Sequence, residues 1–117
     1  MLTKLINEDT MANRNKQAGN KFELDIVHIL KEMGYKAVSS RQESRSADAR
    51  GIDVISDYPF KIQAKCMNTQ PNFHSLLTDT DAEVVFYRRT EKRGKRFYAV
   101  GEYAVLPLSE FLKLTSK

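Results

Sequence analysis

A chain of 117 residues, 41% hydrophobic and 29% charged, can bury one compact core; these values exclude a disordered tail and leave no room for a second core. A single cysteine, Cys66, excludes an internal disulfide and a thiolate zinc site, and two isolated histidines, His28 and His74, argue against an imidazole metal site. The net charge is a modest +4, yet six of the nine residues in RRTEKRGKR (88–96) are basic, and Arg41, Arg45 and Arg50 share a serine-rich segment; such clusters suit a phosphate backbone, as they also suit a solvated hairpin tip and an ordinary surface loop.

Residues 1–15 show no periodicity and read as a flexible arm, available for dimerisation, ahead of a single domain over 16–117. They lack the apolar stretch of a signal peptide, and no run in the chain approaches the ~20 apolar residues that span a bilayer. The expected location is therefore the cytoplasm, of a host cell if the source is viral, with no membrane partner. From about residue 16 to 33, Phe22, Ile26, Ile29, Leu30 and Met33 recur at helical spacing, and Gly34-Tyr35 reads as a left-handed C-cap followed by an apolar residue. Glu23 lies on the flank of that stripe, and His28 reads as a surface or boundary residue.

A short strand, YKAVSSRQ, follows, then a polar loop, ESRSADARG. IDVIS (52–56) predicts a second strand, Asp57-Tyr58-Pro59 a turn, and FKIQAKC (60–66) a third strand in which Phe60, Ile62, Ala64 and Cys66 face one side and Lys61, Gln63 and Lys65 the other. The two strands are expected to pair as a hairpin. Residues 67–80 suit a short helix or turn. EVVFYR (83–88) and RFYAV (96–100) predict an antiparallel pair joined across Gly94, and LPLSEFLKLTSK predicts a last helix capped by Ser109. Tyr87, Phe97, Tyr98 and Tyr103 read as sheet packing, with Arg88, Arg89 and Arg96 near enough to leave base stacking open. The whole is an α/β fold, one mixed β-sheet flanked by helices.

The chemistry lies in Glu23, Asp53, Gln63 and Lys65 taken together. Asp53 interrupts an apolar strand, and a charge placed there is costly without a cation or metal beside it. Gln63 and Lys65, two apart, project from one face, near Asp53 if the hairpin pairs as expected. Magnesium binds one or two carboxylates together with other oxygen ligands, which Asp53, Glu23 and the amide oxygen of Gln63 can supply. The Lys65 ammonium can hold a water or offset charge on phosphate. Each residue alone also has a bland reading: Asp53 with Lys65 as a surface pair, Glu23 as an acid suited to the helix dipole, Cys66 as core.

In this order and spacing, residues 16–66 resemble the core of the PD-(D/E)xK nucleases. They are most similar to archaeal-type Holliday junction resolvases: KQAGNKFELDIVHIL matches the helix with an early Glu, SSRQESRSADARG the Ser/Arg loop, GIDVI the metal aspartate and IQAK the acid-x-Lys strand. The resemblance implies a restriction-endonuclease-like fold. It implies a homodimer that hydrolyses phosphodiester bonds of DNA four-way junctions with magnesium, or manganese in its place. Glu23, Asp53, Gln63 and Lys65 inherit the catalytic roles, the first three as metal ligands. Lys16, Ser39, Ser40, Arg41, Ser44, Arg45 and Arg50 become candidates for DNA contact, and the basic hairpin adds Lys92, Arg93, Lys95 and Arg96. The departure is Gln63, where resolvases carry Glu; Mrr-like restriction nucleases carry Gln-x-Lys, and Asp48 could compensate. Two other readings stand beside junction cleavage: an Mrr-like duplex endonuclease or nickase, and an inactive nuclease fold that only binds DNA.

Overall fold

The computed structural model describes the backbone of residues 2–40 and 50–117, with side chains from residue 17 onward in those ranges. Lys16, as a side chain, and Arg41, Ser44, Arg45 and Asp48 lie outside the described residues. The order is α1 (Leu2–Glu32), β1 (Ala37–Ser39), β2 (Val54–Ser56), β3 (Ile62–Met67), α2 (Phe73–Thr78), β4 (Val84–Arg93), β5 (Arg96–Val105) and α3 (Leu108–Thr115). The strands form one mixed sheet in the order β1-β2-β3-β4-β5, with β3 and β4 parallel and the other neighbours antiparallel. Among the described residues no helix is long and apolar enough to cross a membrane.

Helix α1 begins at Leu2, where periodicity predicted a start near residue 16. The buried stripe is Phe22, Glu23, Ile26, Val27 and Leu30, so Ile29 and Met33, expected inside, are exposed and Val27 takes their place. The end of α1 follows from Gly34. Its φ of 96° lets the Tyr35 amide reach Leu30 O at 2.9 Å and its own amide reach Lys31 O at 3.0 Å, the paired bonds of a Schellman motif.

Alternation on the strands sends Ala37, Val54, Ile62 and Val84 against the α1 stripe, with Ala64, Cys66 and Phe86 packed at its margin. Each large apolar side chain buried there contributes about 1.5–3 kcal/mol, which makes the α1–sheet contact the main source of stability. Burial raises the pKa of the Cys66 thiol; the nearby Arg88 guanidinium opposes the rise and Glu102 adds to it. The Cys66 side chain thus behaves as core, as its place on the strand predicts.

The β4–β5 hairpin is longer than hydropathy suggested. Pairing continues through Thr90–Arg93, where the side chains are half or fully exposed on both strands. Backbone ladders there need no apolar face, so the pattern was silent. The last helix is capped at Pro107 rather than Ser109, and none of its residues is buried. Its apolar residues Leu108, Phe111, Leu112 and Leu114 face solvent instead of joining the core.

Candidate functional site

Asp53 stands just before β2, at the place where β2 and β3 part. The two strands meet through the pair Val54↔Ile62. Asp53 N–H donates to Ile62 O at 2.9 Å, and Asp53 O accepts from the Ser40 amide at 3.0 Å. Beyond that point the carboxylate substitutes for a strand: Asp53 Oδ2 accepts from the Ala64 N–H at 2.8 Å. A charged acceptor on a backbone N–H is a strong hydrogen bond, and it fixes the carboxylate against the backbone between Gln63 and Lys65.

Alternation puts Gln63 and Lys65 on the sheet face opposite Ile62 and Ala64, away from α1. Gln63 is 8% exposed, and its Oε1 is buried without a hydrogen-bond partner among the described residues. A buried amide oxygen in that condition costs about 1–3 kcal/mol. Lys65 is half-buried one residue beyond Ala64. Glu23 comes from the other side. It is 5% exposed within the α1 stripe, so it is part of the buried face and not on its flank. The structure therefore gathers Asp53, Gln63 and Lys65 along one stretch of β3 and sets Glu23 under the sheet.

The chain leading to Asp53 is braced by the segment after α2. Arg50 O accepts from Asp81 N–H at 2.9 Å, and an Arg50–Asp81 ion pair spans 3.5 Å at the surface. Gly51 has φ of 81°, and a Cβ built on it would lie 2.7 Å from Thr80 Cβ. Glycine is needed at this turn for both conformation and space. Gly51→Ala is expected to lower the unfolding free energy by roughly 2–4 kcal/mol, measured by urea denaturation, and to speed hydrogen exchange at the Ala64 amide. A change within about 0.5 kcal/mol would show that the turn relaxes and does not hold Asp53.

The other sequence candidates are dispersed. Ser39 and Ser40 are buried, beside the strand junction and not at an open surface. Lys92, Arg93, Lys95 and Arg96 are exposed at the hairpin tip, with Arg93 near Glu91 at 3.7 Å and over the Tyr98 ring at 5.9 Å. Arg88, from the same basic run, belongs to the fold. Its Nη2 pairs with Asp25 at 2.9 Å and Glu102 at 3.2 Å, and its guanidinium lies 4.5 Å from the Phe22 ring centroid. It thereby ties α1 to β4 and β5, while Arg89 projects from the opposite face.

Three residues escaped the sequence reading. Gly51 and Thr80 brace the turn, and the Ala64 amide anchors the carboxylate. The glycine of GIDVI was the one legible signal among them.

The donors at this place are hard oxygens, with the orphaned Gln63 Oε1 among them, and they fit magnesium or manganese better than zinc. Among the described residues no three of His, Cys, Asp and Glu gather into a metal-binding group. A site here relies on the amide oxygen as well as the Asp53 carboxylate. Comparison with known proteins finds no match, whether a family model, a curated protein or a solved structure. What fold and geometry define is a small α/β domain, with a five-stranded mixed sheet flanked by helices and the Asp53 carboxylate bonded to the Ala64 N–H where two strands separate.

Proposed function

We propose that this protein is a metal-dependent DNA endonuclease with a restriction-endonuclease-like fold, acting as a homodimer on branched DNA such as four-way junctions. The observation that carries the reading is Asp53 anchored on the Ala64 N–H beside a buried, unpartnered Gln63 Oε1, with Lys65 next on the same strand face. Asp53 and Gln63 would hold a divalent magnesium or manganese ion, without Glu23, which is buried in the α1 stripe on the other side of the sheet. When bound, such an ion neutralises phosphate charge and makes hydroxide available near neutral pH. Lys65 donates hydrogen bonds to a phosphate oxygen as negative charge develops there, in a partly buried position that strengthens the interaction. The exposed Lys92, Arg93, Lys95 and Arg96 contact phosphates without reading base sequence. Contacts of that kind favour recognition of DNA shape over base readout.

Pure protein incubated with a labelled immobile four-way junction is expected to cut it with magnesium and to leave it whole in chelator. The component linear duplexes are the comparison, and equal cutting of both would assign the Mrr-like duplex endonuclease instead. The lack of a three-acid cluster among the described residues favours one second reading, a fold that binds DNA without cutting it. Binding without cleavage, together with no calorimetric heat on magnesium addition, would select that reading and remove the hydrolytic one.

A further inference from the structure

On the sheet face that carries Gln63 and Lys65, the strand register draws a row of side chains outward from Lys65. Lys65 pairs with Tyr87 across the parallel β3–β4 ladder, and Tyr87 pairs with Tyr103 across β4–β5. The next row is Met67, Arg89 and Gly101. A groove of ≈ 520 Å³ opens there, lined by Gln70, Phe73, Tyr87, Arg89 and Tyr103. That volume lies within the range of about 300–1,000 Å³ usual for small-ligand clefts.

The floor is rigid. Tyr87 is buried, its hydroxyl donates to Thr69 O at 2.9 Å and accepts from Arg89 Nη1 at 3.2 Å, and Phe73 meets its ring edge-on with centroids 5.6 Å apart. The wall is open. Tyr103 is 57% exposed, tilted 34° to Tyr87 at 6.1 Å, and its ring lies along Gly101, where a Cβ would come 2.5 Å from the Tyr103 hydroxyl. A side chain of that size left uncovered, lying along a glycine and lining a groove with a guanidinium, is suited to a flat, partly polar ligand attached to an anion.

The geometry points to a subsite for an unpaired nucleobase, stacked on Tyr103 with Arg89 beside its phosphate. The inference rests on the nucleic-acid reading above and narrows its substrate to branched DNA that releases an unpaired nucleotide at the branch point, next to the scissile bond. Two strand spacings separate Tyr103 from Lys65, roughly 10 Å. A stacked strand covers that distance in about three nucleotide steps. Stacking is tolerant of base identity, because every base presents a π-face. A continuous duplex keeps its bases paired and does not fill the groove.

The test is fluorescence anisotropy in chelator, so that the metal centre plays no part. The full chain, Tyr103→Ala and Tyr103→Phe are titrated with a labelled oligothymidine strand and with a blunt duplex of equal length. Tyr103→Ala is expected to weaken single-strand binding about tenfold, the scale of one base–aromatic stack. It should leave duplex binding within about twofold, and Tyr103→Phe should match the unsubstituted protein. Equal losses on both probes, or none on either, overturn the subsite while leaving the nuclease reading intact. So does a Phe variant as weak as the Ala variant. Failure of the unsubstituted protein to bind either probe removes the nucleic-acid reading and this inference with it.

Discussion

Lys65→Ala is expected to leave the fold and the affinity for DNA nearly intact and to lower strand cleavage by about 10²–10³-fold, the usual effect of removing one donor aimed at developing negative charge. Stability should hold because Lys65 is only half-buried and no ion pair among the described residues ties it down. Its loss therefore uncovers no buried partner, and the change in unfolding free energy should stay within about 0.5 kcal/mol. Binding should hold because many basic groups share the contact with phosphates, four of them at the exposed hairpin tip. Cleavage and gel retardation on the same protein preparation separate the two effects, with Lys61→Ala as the control for loss of one positive charge from the same segment. A pure Lys65→Ala sample that cuts like the parent takes Lys65 out of the chemistry. Parallel loss of cutting and binding would mean that it serves only as a phosphate contact.

The sequence was informative where one face of an element is buried and the other is not. β3 alternates cleanly, so its pairing with β2 and the shared face of Gln63 and Lys65 were legible from the residues alone. The glycine cap of α1 was legible because only one residue type enters that conformation without strain. Glu23, read from its place beside Phe22 as the flank of the stripe, lies within it between Phe22 and Ile26, a burial rare for an acid. Exposed apolar residues misled in the opposite sense. Ile29, Met33 and the apolar residues of α3 have helical spacing but are exposed, and spacing cannot tell a core contact from an uncovered surface. The basic run hid a division of labour for the same reason. Charge counts do not distinguish Arg88, locked between Asp25 and Glu102, from Arg89, which lines an open groove. The row from Lys65 through Tyr87 to Tyr103 depends on the register of three strands, two of them parallel, and no local pattern encodes that alignment.

Gln63 offers the sharpest separation between a metal ligand and an ordinary buried amide, since two substitutions should move in opposite directions. Gln63→Leu keeps most of the volume and removes an oxygen that lacks a partner among the described residues, so it should raise unfolding free energy by about 1 kcal/mol. It should also abolish any rise in Tm on adding magnesium. Gln63→Glu places a second carboxyl beside the Asp53 carboxylate in a buried position, and both burial and the like charge raise its pKa in the folded state. The folded protein then binds more protons than the unfolded chain. Stability of this variant must fall as pH rises from about 4.3, the unfolded glutamate value, through the raised folded value. A cation held by residues 53 and 63 offsets that penalty, and at a hundred times its dissociation constant it stabilises the fold by about 2.7 kcal/mol. Thermal melts between acid and neutral pH, with and without magnesium, should therefore show a pH-dependent loss in Gln63→Glu that the metal reverses. The Tm response to magnesium should be larger there than in the parent and absent in Gln63→Leu. If magnesium leaves all three melting curves where they were, the oxygen at position 63 is a core defect, and the hydrolytic site has no cation to work with.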